Sequence, residues 1–411
     1  MTLYATFSAL IVLAAVFAYI NLRFIKLPPV IGLMLLALIT SLLMFAIGAI
    51  YPPALQGATA LLSTIDFSEL LLGSMLSFML FAGAIHIKLE VLKKEKVSVI
   101  LYATISTIIS TFIIGIAVYY LLILFHVQVP FIYCLLFGSL ISPTDPIAVL
   151  GILKGSKISK SLEMIISGES LFNDGIAVVI FLTILQVAEA PADFKFGDVL
   201  LLFGQEAFGG LFLGIVLGYI CFILMRKIDN YKVEVLMTIA VVMGGYAFAS
   251  IIHVSGPLAI VAAGIIIGNH GKDGMSDRTI QYLDKFWELI DETLNAILFV
   301  LIGLQLLLVT LHPQYLLIGM ITIVVLLITR YISLLIPSKG IMMRENISHK
   351  TIFIMTWGGL RGGISIALAL SLKPFMEKDL WVTLTFVIVA FSILVQGLTV
   401  GKVAKKLKVS S

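Results

Sequence analysis

One stretch of this chain concentrates its polar chemistry: Gly168-Glu169-Ser170-Leu171-Phe172-Asn173-Asp174-Gly175, set in otherwise apolar sequence. On a helix Glu169 and Asn173 are four residues apart and share one face, while Ser170 and Asp174 share a neighbouring face. Five residues separate Glu169 from Asp174, about 140° around the axis, so one carboxylate can meet a counter-charge while the other faces a cavity. Two further polar islands are Ser142-Pro143-Thr144-Asp145-Pro146 and Trp357-Gly358-Gly359-Leu360-Arg361-Gly362-Gly363-Ile364-Ser365. Asp174 with Ser170, Thr144 and a freed backbone carbonyl forms a hard-oxygen set suited to an alkali cation. A carboxylate withdrawn from water is costly to leave bare, so it takes up either a proton or a desolvated cation.

The elements that must position these residues lie in lipid. Of 411 residues 60% are hydrophobic and 12% charged, with a mean hydropathy of +1.14, whereas soluble domains carry about 25% charged residues. A soluble exterior has no room for so much apolar surface. The net charge of +4 is small and no Lys/Arg run is dense enough for nucleic acid. Cys134 and Cys221 both lie in apolar runs, which implies packing and no disulfide framework.

Apolar runs far longer than barrel strands predict an all-α membrane bundle. Thirteen transmembrane helices are expected, over 3–22, 28–50, 67–87, 97–125, 130–151, 161–188, 198–225, 233–253, 256–269, 286–310, 314–336, 350–372 and 380–400. The connections after the odd-numbered segments hold 22 of the 27 Lys/Arg, and the opposite connections hold only Lys195, Lys373 and Lys378. By the positive-inside rule this places the N-terminus outside and the C-terminus in the cytoplasm, in a multi-pass protein of the inner (plasma) membrane.

Arg330 and Arg361 remain, each inside an apolar segment, where a charge costs roughly 2.5 to 3.5 kcal/mol on insertion scales. Arg330, read as near the cytoplasmic end of the eleventh segment, is expected to snorkel to the interface. Arg361, in the middle of the twelfth, must meet an anion inside the bundle. Prolines flanking Thr144-Asp145 break the fifth segment, and four glycines around Leu360-Arg361 weaken the twelfth. The two segments are an odd number apart and run oppositely, which fits two inverted six-helix repeats whose broken helices 5 and 12 cross at an ion site.

The Gly168–Gly175 run, with Thr144-Asp145-Pro146 before it and Gly359-Leu360-Arg361-Gly362 after it, resembles the monovalent cation/proton antiporter family, which includes prokaryotic NhaP-type and eukaryotic sodium/proton exchangers. The likeness spans nearly the whole chain. It implies a homodimer of single 1–411 transporter units. Within each, a core including 97–188 and 314–400 would move against interface helices including 1–50 and 198–269. By motif position, Asp174 would be the cation and proton carrier, Asn173 its neighbour, and Thr144, Asp145 and Ser170 contributors to a site for sodium. Glu169 and Arg361 would form a structural ion pair. Relatives that move net charge carry two adjacent acids where Asn173-Asp174 stands, so the Asn implies electroneutral exchange. In the third segment, where some relatives carry an acid, Ala82 and His86 stand. The transported ions would be sodium and protons, with no resident cofactor and no enzymatic step.

Plainer readings stand beside these. Asn173 and Asp145 can serve as hydrogen-bonding or capping residues that never touch the ion, and Glu288, Asp291 and Glu292 are read as the amphipathic start of the tenth segment or as a cation-attracting funnel. His253 and His270 lack metal-ligand spacing and are read as interface histidines. Potassium/proton or broad monovalent cation/proton antiport is the alternative within the class. From another class, Asp145 and Asp174 could share a proton as an intramembrane aspartyl protease dyad, which would need neither twin broken helices nor a buried Arg.

Overall fold

A computed structural model describes residues 3–145, 160–189, 196–270, 275–309, 312–342 and 348–407. These residues are helical nearly throughout. In chain order they form α1 (Leu3–Ile20), α2 (Pro29–Ile50), α3 (Pro52–Leu62), α4 (Phe67–Ile85), α5 (Leu89–Leu124), α6 (Phe131–Ile141), α7 (Lys160–Glu189) and α8 (Phe196–Met225). They continue with α9 (Tyr231–Ile251), α10 (Gly256–His270), α11 (Asp277–Gln305), α12 (Pro313–Met342), α13 (His349–Trp357), α14 (Gly363–Ser371) and α15 (Lys378–Leu407). Among the described residues nine helices are long and apolar enough to cross a membrane. Helices α6 and α10 are shorter and apolar. The protein is therefore an all-helical, multi-pass membrane protein.

Several boundaries differ from the sequence reading, each for a local reason. Helix α3 is an additional element, started by Pro52 and Pro53, whose fixed φ suits a first helical turn. Helix α5 begins at Leu89, eight residues before the expected start, because its charged first turns propagate helix without being apolar. Helix α11 begins at Asp277, where Ser276 caps it by accepting from the Thr279 amide. Residues 146–159, including Pro146, Lys154 and Lys157, lie outside the described residues, so the second half of the expected fifth segment does too.

The twelfth expected segment is two helices. Helix α13 ends at Trp357 and α14 begins at Gly363, because four glycines in seven residues leave too little to hold a helix there. Helix α6 stops at Ile141, just before Pro143. Helix α7, by contrast, runs unbroken for 30 residues past the polar cluster.

Aromatic and aliphatic side chains fill the spaces between these helices. Trp287 of α11 is fully buried, its ring centroid 4.5 Å from that of Phe81, and Trp381 of α15 stacks at 5.0 Å on Phe137 of α6. Cys134 and Cys221 are buried free thiols. Without a hydrophobic drive to separate helices from lipid, close approach through small residues holds them together. Gly214 of α8 faces the carbonyl of Ala259 on α10, and Gly268 of α10 faces the carbonyl of Ile85, each too close to admit a methyl group. Helix α10 is thus clamped between α8 and α4.

Gly214→Val should cost about 1 to 3 kcal/mol, because the added carbons meet backbone that has no alternative rotamer. Gly204→Ala, whose new methyl meets nothing within 4 Å, should change stability by no more than about 1 kcal/mol. Thermal unfolding of the purified variants checks both, and equal midpoints for the two would contradict the clamped packing.

Candidate functional site

The chain just past the end of α6 meets the break between α13 and α14. After α6 the chain leaves the helix past Ser142, and the Asp145 amide donates to the Leu360 carbonyl at 2.8 Å in an isolated antiparallel bridge between the two stretches. Gly362 is needed at this crossing, since a Cβ there would lie 2.7 Å from Asp145 Oδ2. The carbonyls of Ser142 and Pro143, just past the end of α6, have no helical donors, and Arg361 supplies them. Its Nη1 donates to Ser142 O at 2.6 Å and to Pro143 O at 2.8 Å. A cation at a helix C-terminus also complements the helix dipole. The Arg361 amide donates to Ser392 Oγ at 2.9 Å, and Ser392 Oγ donates to Gln396 Oε1 at 2.8 Å, so α15 braces the crossing from behind.

The expected partnership of Arg361 with Glu169 is corrected by this arrangement. Glu169 Oε1 lies 2.6 Å from Nη2 of Arg330, with both side chains at most 3% exposed. Arg330 does not snorkel. The sequence reading ended its helix at residue 336, but α12 continues to Met342, which puts Arg330 about 18 Å from that end and beyond the reach of its side chain. The signal available in the sequence was the pairing of two intramembrane Arg with a small set of intramembrane acids, and it was resolved to the wrong Arg.

Around this pair the polar residues of α7 and the first break form one network. Asn173 Nδ2 donates to Glu169 Oε1 at 3.1 Å and to Thr144 Oγ1 at 3.0 Å. Thr144 Oγ1 and Ser170 Oγ are 3.4 Å apart. Asn173 is fully buried, and with both contacts made through its nitrogen, its Oδ1 is left without a donor. Of the two roles open for Asn173, its nitrogen serves the structural one, holding Thr144 and Glu169. A small cavity of about 10 Å³ lies beside Thr144, Glu169, Ser170 and Arg330, space for one water molecule or ion.

Asp174 stands one residue beyond Asn173, about 21 Å along α7 from its first residue. It is half-buried, and its carboxylate has no hydrogen bond or ion pair among the described residues. Helix α10 presses close beside it: a Cβ at Gly175 would lie 2.7 Å from Leu258 Cδ2. The structure thus brings together Thr144, Glu169, Ser170 and Asn173, with Asp145 at the crossing beside them and Asp174 as the acid left uncommitted.

The remaining candidates fall elsewhere. Ala82 is buried in an apolar cluster, and His86 Nδ1 lies 3.9 Å from Asp284 Oδ1 at the start of α11. His253 is an exposed turn residue with φ 56°. The side chain of His270 lies outside the described residues. Glu288, Asp291 and Glu292 lie within α11 itself, more than two turns past its start, with Glu288 and Glu292 exposed and Asp291 half-buried.

Known proteins place this architecture. The profile of the family described as sodium/hydrogen exchanger, transmembrane, matches residues 11–406. The chain is 49% identical to the Na(+)/H(+) antiporter NhaP of Pseudomonas aeruginosa, over 97% of its own length and 96% of that protein. It is 34% identical to the Na(+)/H(+) antiporter NhaH of Halobacillus aidingensis, over 94% and 93% of the two lengths. Its fold is similar to that of the sodium proton antiporter MjNhaP1 from Methanocaldococcus jannaschii, with a TM-score of 0.77 and 20% identity over 99% of each chain. With that profile matching all but the two ends and near-full-length relatives well above 30% identity, this multi-pass membrane protein belongs to the sodium/hydrogen exchanger family of transporters.

Proposed function

We propose that the protein is an electroneutral sodium/proton antiporter in which one sodium ion and one proton compete for Asp174. The observation that carries this is a carboxylate with no hydrogen bond or ion pair among the described residues, beside a crossing where Glu169, Asn173 and Thr144 are held by one another and by Arg330. Exchange follows if the protein rearranges only when Asp174 is occupied. A bare carboxylate would have to cross an apolar barrier as a charge, whereas a protonated or sodium-bound one crosses as a neutral unit. Each turn then carries one positive charge in each direction.

Thr144 and Ser170 offer hydroxyl oxygens, and Asp145 a third polar group, to a sodium ion bound at Asp174. Asn173 in place of a second acid leaves one exchangeable charge. The identities of near-full-length relatives favour sodium over potassium. The protease alternative is not favoured, since Asp145 sits against Gly362 at the crossing and the matched families are transporters. No resident cofactor enters this scheme.

The remaining organisation is part of the same reading. Thirteen spans in two inverted repeats would form each protomer, with a core including 97–188 and 314–400 moving against interface helices including 1–50 and 198–269 in a homodimer. The basic connections favour a cytoplasmic membrane location with the N-terminus outside and the C-terminus inside.

Asp174→Asn is expected to abolish sodium-dependent proton movement in proteoliposomes, a loss of at least about 10²-fold, the scale of a removed acid–base group, while the protein purifies as a folded species. Robust exchange by the folded variant would refute the carrier role. For the ion pair, Glu169→Gln or Arg330→Met alone should cost about 3 to 5 kcal/mol by stranding a buried charge, and the double variant should recover most of it. Additive losses in thermal unfolding would show that the two residues act separately.

A further inference from the structure

Helix α11 carries acids that the carrier site does not use. Asp284, Glu288, Asp291 and Glu292 fall at i, i+4, i+7 and i+8, so they lie on one side of the helix, and Asn295 continues the stripe at i+11. Asp284 is half exposed and faces His86, Glu288 and Glu292 are exposed, Asp291 is half-buried and Asn295 is 5% exposed. The stripe therefore runs from the Asp277 end of α11 towards the interior.

Its inner end is built. Asn295 Nδ2 donates to Asp291 Oδ1 at 2.9 Å and to the Asp291 carbonyl at 2.8 Å, which fixes the amide and leaves Asn295 Oδ1 buried with no donor. One turn on, Leu298 packs against Gly363, where a Cβ would lie 2.6 Å from its Cδ1. This part of α11 thus abuts the first residue of α14, beside the crossing where the Asp145 carboxylate lies against Gly362. An amide oxygen without a donor, next to a carboxylate, cannot be satisfied by another acceptor. The complement of two such oxygens in a field of acids is a cation, and one carboxylate with one amide suits a single charge.

We propose that Asp291 and Asn295 of α11 form a second oxygen site for a monovalent cation, opposite Asp145, where the ion waits between the acidic stripe and Asp174. The site rests on the reading of Asp174 as carrier and adds to it a binding step on the opposing helix. Asp291 here acts on affinity, leaving the turnover of the loaded carrier unchanged.

Two readouts test it. Thermal unfolding of the purified full-length protein is compared in sodium chloride and choline chloride at equal ionic strength. Asp174→Asn should keep part of the sodium-dependent shift in midpoint, and adding Asp291→Asn should remove the rest. Loss of the whole shift in Asp174→Asn alone overturns the second site, as does a parent protein with no shift. In everted vesicles, which in the proposed orientation present the Asp277 end of α11 to added sodium, Asp291→Asn should raise the apparent KM for sodium about tenfold. The maximal rate should stay near that of the parent, and Asp291→Glu should restore the KM. An unchanged KM, or a fall in maximal rate alone, contradicts the proposal. Failure of the carrier reading looks different, because folded Asp174→Asn would then still exchange.

Discussion

Backbone released where α6 and α13 end has no water to turn to inside a membrane, and the rest of the site depends on how it is satisfied. Arg361 answers for the Ser142 and Pro143 carbonyls just past α6, and the Asp145 amide answers for Leu360. One nitrogen of the guanidinium, Nη1, suffices for this task, because its two N–H bonds can each be given to a separate carbonyl. Glycine at 362 is equally part of the solution, since any side chain there would displace Asp145.

With Arg361 committed to the crossing, Glu169 needs another counter-charge, and Arg330 supplies it from α12. The pair does more than cancel charge. Through Glu169 it orients Asn173, and through Asn173 it positions Thr144, which stands beside Ser170. A chain of contacts thus links α12, α7 and the first break, and within it Asn173 Oδ1 and Arg330 Nε are buried without a partner. Asp174 is the acid this network leaves out. A site that exchanges two cations needs such a group, because a carboxylate already bound to an arginine has no affinity left to offer either one.

Much of this was legible in the sequence. Membrane class followed from composition, and the end of α6 before Pro143 and the break at the Gly358–Gly363 stretch followed from backbone chemistry. Helical spacing placed Glu169 and Asn173 on one face, where they do bond. What could not be read was partner choice across helices. Two intramembrane arginines and three intramembrane acids allow several pairings, and which one forms depends on where α12 ends, a boundary that hydropathy put six residues short. The same limit hid the role of α11. Its acids looked like a solvated helix start, because a periodic stripe of charge gives no depth until the helix is placed against its neighbours. Asn295, one amide in an apolar stretch, carried no signal without the orphaned oxygen that the packing creates.

The central claim is that one carboxylate, Asp174, is the whole of the exchanging charge, which fixes the exchange at one sodium per proton. Sodium-driven proton movement in proteoliposomes, measured while the membrane voltage is clamped over a range by potassium and valinomycin, tests this most directly. The account predicts a rate and an equilibrium pH gradient independent of voltage. A reversal point that shifts with voltage would show net charge moving in each cycle and would contradict it.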